Sequence, residues 1–223
     1  MTTTTETKKA ASKNSYFSKD EVALHNVQSD CWVSFFGKVY DLTSLVNENS
    51  GALVQPILRF AGQDITHWFD AKTKAPKTYI HPELNVRVPY CPYGRYIHIP
   101  PPQPDSTWGT DFEVPWWDDE KYLQGNLSKK KRKLKIVNQL SSQEHLLEVC
   151  TEETINEIQE RYLRYNKHAQ SYTWKRLGVP LNMTKTLDQN NITDDTDEFA
   201  IMGREDAYIP AVHVCFNDDL SVA

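Results

Sequence analysis

The sequence predicts an α+β fold divided into two small domains, and three observations carry this prediction. The chain has 223 residues, whereas a single domain usually has about 100 to 150. A proline-rich run interrupts it at 100–104, and consecutive prolines favour polyproline II and cannot continue a helix or a sheet. On both sides of that run, short β-favouring segments alternate with short helical segments.

The composition predicts an intracellular protein. Hydrophobic residues make up 39% of the chain, and the mean hydropathy is -0.62. No segment approaches the about 20 consecutive apolar residues of a membrane helix, and residues 1–14 lack the apolar region of a secretory signal. The four cysteines are widely spaced, which argues against a disulfide framework or a zinc site. We therefore expect reduced thiols, no membrane partner and a disordered polar tail over 1–14.

The charge pattern argues against a nucleic-acid partner. The net charge is -5, whereas a nucleic-acid binder normally presents a basic face. A basic run at 129–135 contrasts with an acidic stretch at 188–206. Both are predicted to be solvated surfaces. Docking to an acidic partner, or nuclear localisation or nucleic-acid contact, are the alternatives for the basic run.

The first half begins with a short capped helix followed by a hairpin. Ser18 is placed to cap a helix through residue 25, and Glu21 completes the capping box. Two β-favouring runs, 31–36 and 38–42, flank Gly37, which is typical of strands joined by a tight turn. Three further helical segments are predicted at 43–46, 53–60 and 64–69.

A bridge rich in proline and tryptophan separates the halves. We predict a domain over 15–99, a linker over 100–132 and a second domain over 133–223. The aromatic part of the bridge, 108–122, is expected to pack across a domain surface, because exposing so many rings to water is costly. A partner-binding aromatic patch is the alternative.

The second half predicts a sheet wrapped around one helix. Strands are expected at 134–140 and 144–149, followed by a helix that Thr151 or Thr154 caps. Ile155, Ile158 and Tyr162 form the apolar stripe of a helix that lies on a sheet. Further strands are expected at 171–177, 181–183 and 211–216.

Several blocks of the first half, in order, resemble the cytochrome b5 haem-binding family. They are Tyr16-Phe17-Ser18, Glu21-Val22, His25-Asn26, Asp30-Cys31-Trp32-Val33, Gly37-Lys38-Val39-Tyr40-Asp41-Leu42-Thr43 and Ala61-Gly62-Gln63-Asp64-Ile65-Thr66. The resemblance implies a small domain that holds haem b between two axial histidines.

This chain departs from that family at both ligand positions. Where the family has His-Pro-Gly-Gly, the chain has Asn49 and its neighbours, and Lys74 stands near the place of the second histidine. Neither side chain is a good substitute for imidazole on haem iron. The nearby His67 and His81 are the predicted replacement ligands of haem iron, with Tyr79 as a weaker choice for the second position. The alternative is that both histidines are ordinary and that the domain has lost haem.

The order of elements over 133–219 resembles the ubiquitin-like β-grasp family. The chain ends without a diglycine, so this half is expected to be a docking module that is not conjugated to lysines. Leu146, Trp174 and Val214 are candidates for the apolar patch of such a sheet, although alternation does not say which face is buried.

Together, the two halves resemble the cytochrome b5 domain-containing proteins that carry a ubiquitin-like domain. The resemblance implies a non-catalytic axonemal subunit of motile cilia, in the cytoplasm and cytoskeleton, which contacts radial spoke or other axonemal proteins, supports ciliary beating and can bind haem and sense redox state. A soluble b-type haem electron carrier and a haem-free scaffold are the alternatives. The common hydrolase, nucleotide-binding and metalloprotease motifs are absent from the sequence. Cys31 is expected to be an inert core thiol, and Cys150 is the better candidate for a reactive one.

Overall fold

A computed structural model describes residues 15–49, 51–103, 105, 108–109, 112–203 and 208–216. The predicted tail at 1–14 lies outside these residues. The chain divides into two compact units, Met1–Leu127 and Ser128–Ala223, here called unit 1 and unit 2. Within the described part, no helix is both long enough and apolar enough to cross a membrane. Both units combine strands with short helices, which confirms the predicted α+β class.

The described part of unit 1 is built on one mixed sheet, a separate hairpin and three short helices. Its strands are β1 (Tyr16–Phe17), β2 (Asn26–Val27), β3 (Asp30–Phe35), β4 (Lys38–Asp41), β5 (Thr78–Ile80), β6 (Arg87–Pro89) and β7 (Leu123–Leu127). Its helices are α1 (Lys19–Leu24), α2 (Thr43–Glu48) and α3 (Gln55–Arg59). The main sheet has the order β1-β7-β4-β3-β2, and β5 and β6 form a separate hairpin.

The first elements follow from local sequence signals. The Ser18 hydroxyl accepts a hydrogen bond from the Glu21 amide at 3.2 Å, and the Glu21 carboxylate accepts one from the Ser18 amide at 2.8 Å. This confirms the predicted capping box. Phe36 and Gly37 connect β3 to β4 with φ angles of 48° and 73°, as a two-residue hairpin turn requires. The segment predicted as helical at 64–69 forms only a short 3₁₀ turn, Thr66–Trp68.

The end of unit 1 differs from the predicted division. The predicted linker, 100–132, contains Trp116 and Trp117, which are buried in the unit 1 core, and all of β7. β7 runs antiparallel to β4 and parallel to β1, so it joins the two in one sheet. The reason is energetic, because two indole rings and a strand edge gain more from burial and pairing than from exposure in a tether.

Unit 2 has the β-grasp arrangement that the resemblance implied. Its strands are β8 (Lys131–Asn138), β9 (Glu144–Cys150), β10 (Thr173–Arg176), β11 (Val179–Pro180) and β12 (Ala211–Cys215), and its helices are α4 (Ile155–Tyr162) and α5 (Thr196–Ile201). The sheet order is β11-β10-β12-β8-β9. The last strand, β12, lies parallel to β8 at the centre, whereas β8 and β9 form an antiparallel hairpin.

The helix of unit 2 packs as predicted. Thr154, rather than Thr151, caps α4 in a capping box with Glu157. Ile155, Ile158 and Tyr162 are all buried in the unit 2 core. One strand differs, because the chain returns at Val179–Pro180 directly after a turn at Leu177 and Gly178, not at 181–183.

Candidate functional site

His67 lies at the surface of unit 1. It belongs to the 3₁₀ turn Thr66–Trp68, and its side chain is exposed. Its ring centroid is 5.6 Å from that of Phe60 and 6.1 Å from that of Tyr93. The imidazole therefore packs against aromatic rings at the rim of the core.

His81 follows β5 in the loop of the β5–β6 hairpin. Its Nδ1 atom accepts hydrogen bonds of 3.3 Å from the backbone amides of Glu83 and Leu84. Its ring lies 6.2 Å from the ring of Tyr79. The imidazole thus stabilises the hairpin loop, and only its other nitrogen could face a ligand.

The structure does not bring the two predicted haem ligands into one described site. Neither His67 nor His81 lines any of the three described cavities, and they share no described hydrogen bond or ring contact. In the part of the chain that the structure describes, no group of three or more His, Cys, Asp or Glu side chains could hold a metal ion. Ligation of haem iron by His67 and His81 stays a prediction.

The side chains found at the two usual ligand positions do not take over the role of the histidines. Asn49 is exposed, and its amide donates a 2.9 Å hydrogen bond to the Leu45 carbonyl. Lys74 has a φ angle of 57° and lines a cavity of about 210 Å³ beside Tyr40 and Trp117. That volume is below the about 300 Å³ at which small-molecule pockets begin, so the described cavity at Lys74 does not fit a porphyrin.

Aromatic side chains fill the interior of unit 1. The ring of Phe35 stacks on Tyr40 at 4.3 Å and on Phe69 at 4.9 Å, and the fully buried Trp116 meets it edge-on at 5.9 Å. The Trp116 indole donates a 3.2 Å hydrogen bond to the Ile97 carbonyl. These rings give the domain a packed core from its own side chains.

His98 holds the aromatic segment in place, a role that the sequence did not reveal. Its Nδ1 atom accepts a 3.0 Å hydrogen bond from the Trp116 amide, and its ring stacks on Phe112 at 3.9 Å. Burial, and to a smaller extent the charge of Lys121, lower the pKa of His98. A neutral imidazole is what this acceptor role requires. A lone histidine in an irregular segment gives no signal of such a long-range contact.

Cys31 and Cys150 are buried, which limits the access of reagents to both thiols. Cys31 is fully buried, and burial, with smaller contributions from Asp41 and Asp30, raises its pKa to about 12. This confirms the expected core thiol. Cys150, the predicted candidate for reactivity, is only 1% exposed, so the described fold keeps reagents away from it. Cys91 and Cys215 are partly exposed instead.

One of the three candidate residues for the apolar patch of unit 2 is exposed. Trp174 and Val214 point into the core, whereas Leu146 is 50% exposed. Leu146 lies opposite Lys135 in the β8–β9 register, on the outer face of the sheet. The basic run is split by the same alternation, because Lys131 and Lys133 are exposed and Arg132 is buried.

Arg132 is structural. Its guanidinium donates to the Asp188 carboxylate at 2.8 Å and to the Ile192 carbonyl at 2.6 Å. A buried cation needs such partners, so this member of the basic run does not contribute to a binding surface.

Comparison with known proteins shows the family to which the chain belongs. Residues 18–134 match the model of the cytochrome b5-like heme/steroid binding domain. Cytochrome b5 domain-containing protein 1 of Xenopus laevis is 50% identical over 208 residues, which are 92% of this chain and 96% of that protein. The Homo sapiens protein of the same name is 50% identical over 209 residues, covering 92% and 91%. The structure is also similar to a Caldiarchaeum subterraneum ubiquitin at 17% identity, with a TM-score of 0.31, over 39% of this chain and 94% of that chain. The chain therefore belongs to the cytochrome b5 domain-containing protein 1 family.

Proposed function

We propose that this protein is a non-catalytic docking subunit of the axoneme of motile cilia, where it contacts radial spoke or other axonemal proteins and supports ciliary beating. The combination of a cytochrome b5-like and a ubiquitin-like domain supports this proposal. The observation that carries the docking role is the outer face of the unit 2 sheet. We call this the docking face and define it by Lys131, Lys133, Lys135, Leu146 and Lys175.

The docking face combines an exposed apolar residue with excess positive charge. Lys131 pairs with Glu148 at 3.2 Å and Lys135 pairs with Glu144 at 3.0 Å, so the two glutamates of β9 offset part of the charge of the four lysines. Leu146 is half exposed among them. Charge complementarity of this kind favours a partner segment that carries acidic residues beside an apolar one.

Unit 1 supports a structural role in the same protein. Asn49 and Lys74 stand at or near the usual ligand positions, and aromatic side chains pack among aliphatic ones in the described interior. A domain built in this way can present a rigid surface without carrying electrons.

The docking proposal is tested in ciliated cells with the full-length protein. The wild type is expected in the axonemal fraction, whereas the double variant Leu146→Asp, Lys133→Glu should be lost from it, because it reverses charge and removes the apolar contact. Lys167→Glu is the matched control, since Lys167 is exposed in unit 2 but lies outside the sheet. If the double variant stayed in the axonemal fraction at the wild-type level, the proposal that the docking face binds axonemal proteins would be wrong.

Electron transfer by a bound haem is the second candidate function, because the matched domain is described as heme/steroid binding. The test is the absorption spectrum of the purified protein after reconstitution with haem, oxidised and reduced. A haem-free scaffold, the remaining alternative, would give no low-spin b-type spectrum. A low-spin spectrum that is lost in both His67→Ala and His81→Ala, and kept in the control His168→Ala, would instead establish a bis-histidine site and favour electron transfer.

A further inference from the structure

A second site lies in unit 1, in a cavity that Tyr79 lines but that neither His67 nor His81 lines. A cavity of about 440 Å³ opens beside the β5–β6 hairpin, a volume within the range of small-molecule pockets. Its lining is mostly apolar or aromatic, and the guanidinium of Arg95 is its one charged group among the described residues. The lining residues include Tyr79, Tyr90, Cys91, Arg95 and Ile99.

Arg95 has no partner among the described residues. It makes no hydrogen bond or ion pair with them, and its Nη1 atom is buried without a hydrogen-bond partner. Among the residues that the structure describes, no aspartate or glutamate lines the cavity. Burial raises the pKa of the Cys91 thiol, which also lines the cavity, and the positive charge of Arg95 partly opposes that rise. A partly buried cation without a partner is costly, and an anion in the cavity would offset that cost.

The remaining walls are suited to a flat apolar body. The rings of Tyr79 and Tyr90 lie 5.9 Å apart, edge to face, and are 42% and 50% exposed. Tyr79 is held opposite Val88 in the hairpin, and the Tyr90 amide donates a 2.7 Å hydrogen bond to the Lys77 carbonyl. These contacts hold the backbone of both tyrosines, which lowers the ordering cost that binding would carry.

We infer that this cavity binds a small carboxylic acid with a flat apolar body. The carboxylate pairs with the guanidinium of Arg95, for which planar bidentate geometry is favourable. The apolar body packs against the tyrosine rings and Ile99. This site is independent of the docking face, which belongs to unit 2, so each proposal can fail without the other.

The test is isothermal titration of the full chain with 2-naphthoate, with the uncharged 2-naphthalenemethanol as the comparison ligand. We expect 2-naphthoate to bind, and Arg95→Gln to weaken it at least about tenfold, the effect of losing a hydrogen bond to a charged group. Arg87→Gln is the matched control, because Arg87 is exposed on β6 and does not line the cavity. Its affinity should equal that of the wild type, and the alcohol should bind equally weakly to all three proteins.

Amide chemical shifts locate the ligand and report the fold. Shifts induced by 2-naphthoate should cluster at Tyr79, Tyr90 and Cys91. Arg95→Lys keeps the charge without the planar fork, so it should bind with intermediate affinity even if Arg95→Gln disturbs the fold. The absence of binding to the wild type, equal affinity in Arg95→Gln and wild type, or shifts located elsewhere would each overturn the inference.

Discussion

The two units fill their interiors with different kinds of side chain. The core of unit 1 is rich in aromatic rings that come from distant parts of the chain, such as Phe35, Phe69 and Trp116, and that pack among aliphatic residues. The core of unit 2 is mainly aliphatic, with residues such as Ile136, Ile158 and Val212 from one sheet and one helix. Unit 1 is completed by an irregular segment and β7, both after the proline-rich run, whereas most of the unit 2 core comes from its sheet and α4, with Ala169, Leu187 and Ile192 added from the connecting segments.

The largest loss of stability is expected when the buried Trp116 is removed from the core of unit 1. Trp116→Ala deletes a fully buried indole and its hydrogen bond to Ile97. We expect a loss of about 3 to 5 kcal/mol in the free energy of unfolding of unit 1, the usual cost of a large-to-small core change. Chemical denaturation followed by hydrogen exchange, which reports each unit separately, measures it.

The controls for Trp116→Ala come from both units. Trp108 belongs to the same segment, but its side chain is only partly buried. The loss of stability in Trp108→Ala should therefore be much smaller. Ile158→Ala should destabilise unit 2 by about 2 to 4 kcal/mol. If Trp116→Ala left the exchange protection of unit 1 unchanged, the aromatic segment would not close that core.

The next effect concerns the place where β7 meets β1. A Cβ atom on Gly125 would lie 2.3 Å from the Ser15 carbonyl oxygen and 2.9 Å from a ring carbon of Phe17. Because a backbone atom cannot move aside cheaply, Gly125→Ala should cost about 1 to 3 kcal/mol. It should also weaken the hydrogen bond from the Asn126 amide to Ser15, which is 2.9 Å long.

Hydrogen exchange at the Asn126 amide measures this change. Asn126→Ala, on the same strand, is the matched control and should leave the pairing of β1 intact. Slow exchange at position 126 in Gly125→Ala would mean that β1 tolerates the extra carbon.

The same comparison shows what the sequence could predict. Ser18 and Thr154 cap their helices through contacts within three residues, and both helices were predictable. The burial of Trp116 and the pairing of β7 depend on residues far away in sequence, so local patterns indicated only that the segment would pack. Arg132 stood in a basic run, and its burial follows from strand alternation and from Asp188, 56 residues later.

The candidate sites were less predictable than the fold. His67 and His81 were chosen by residue type, and type alone does not fix whether two side chains face each other. Arg95 gave no signal, because an unpaired guanidinium is visible only when the surrounding residues are placed in space. Leu146 was one of three candidate patch residues, and only the observed register distinguishes it from Trp174 and Val214.

Alkaline pH should separate the stabilities of the two units. The pKa of Cys31 is raised from 9.0 to about 12, chiefly by burial, and burial also raises the pKa of Tyr40 and Tyr96 in unit 1. In the folded state these groups keep protons that the unfolded chain releases. Their contribution is therefore complete below pH 9 and is lost as pH rises towards 12, by about 1 kcal/mol at pH 10 from Cys31 alone.

Denaturation at pH 8 and pH 10 tests this difference. Unit 1 should lose more stability than unit 2, where burial raises the pKa of Tyr162. In Cys31→Ala the loss between the two pH values should shrink, whereas in Cys215→Ala, which changes a partly exposed thiol, it should not. An equal loss in Cys31→Ala and the wild type would mean that Cys31 does not keep its proton.

The smallest effect should be the same in both units. Ser18→Ala and Thr154→Ala each remove a capping hydroxyl from a short helix, and each leaves one helix amide without its acceptor. We expect a loss of roughly 0.5 to 1 kcal/mol in either unit, measured by denaturation and by exchange at the Glu21 and Glu157 amides. A much larger loss in unit 1 would mean that α1 is coupled to the aromatic core. Equal losses in the two variants would mean that helix capping contributes equally to the stability of both units. The difference between the units would then lie in their long-range packing.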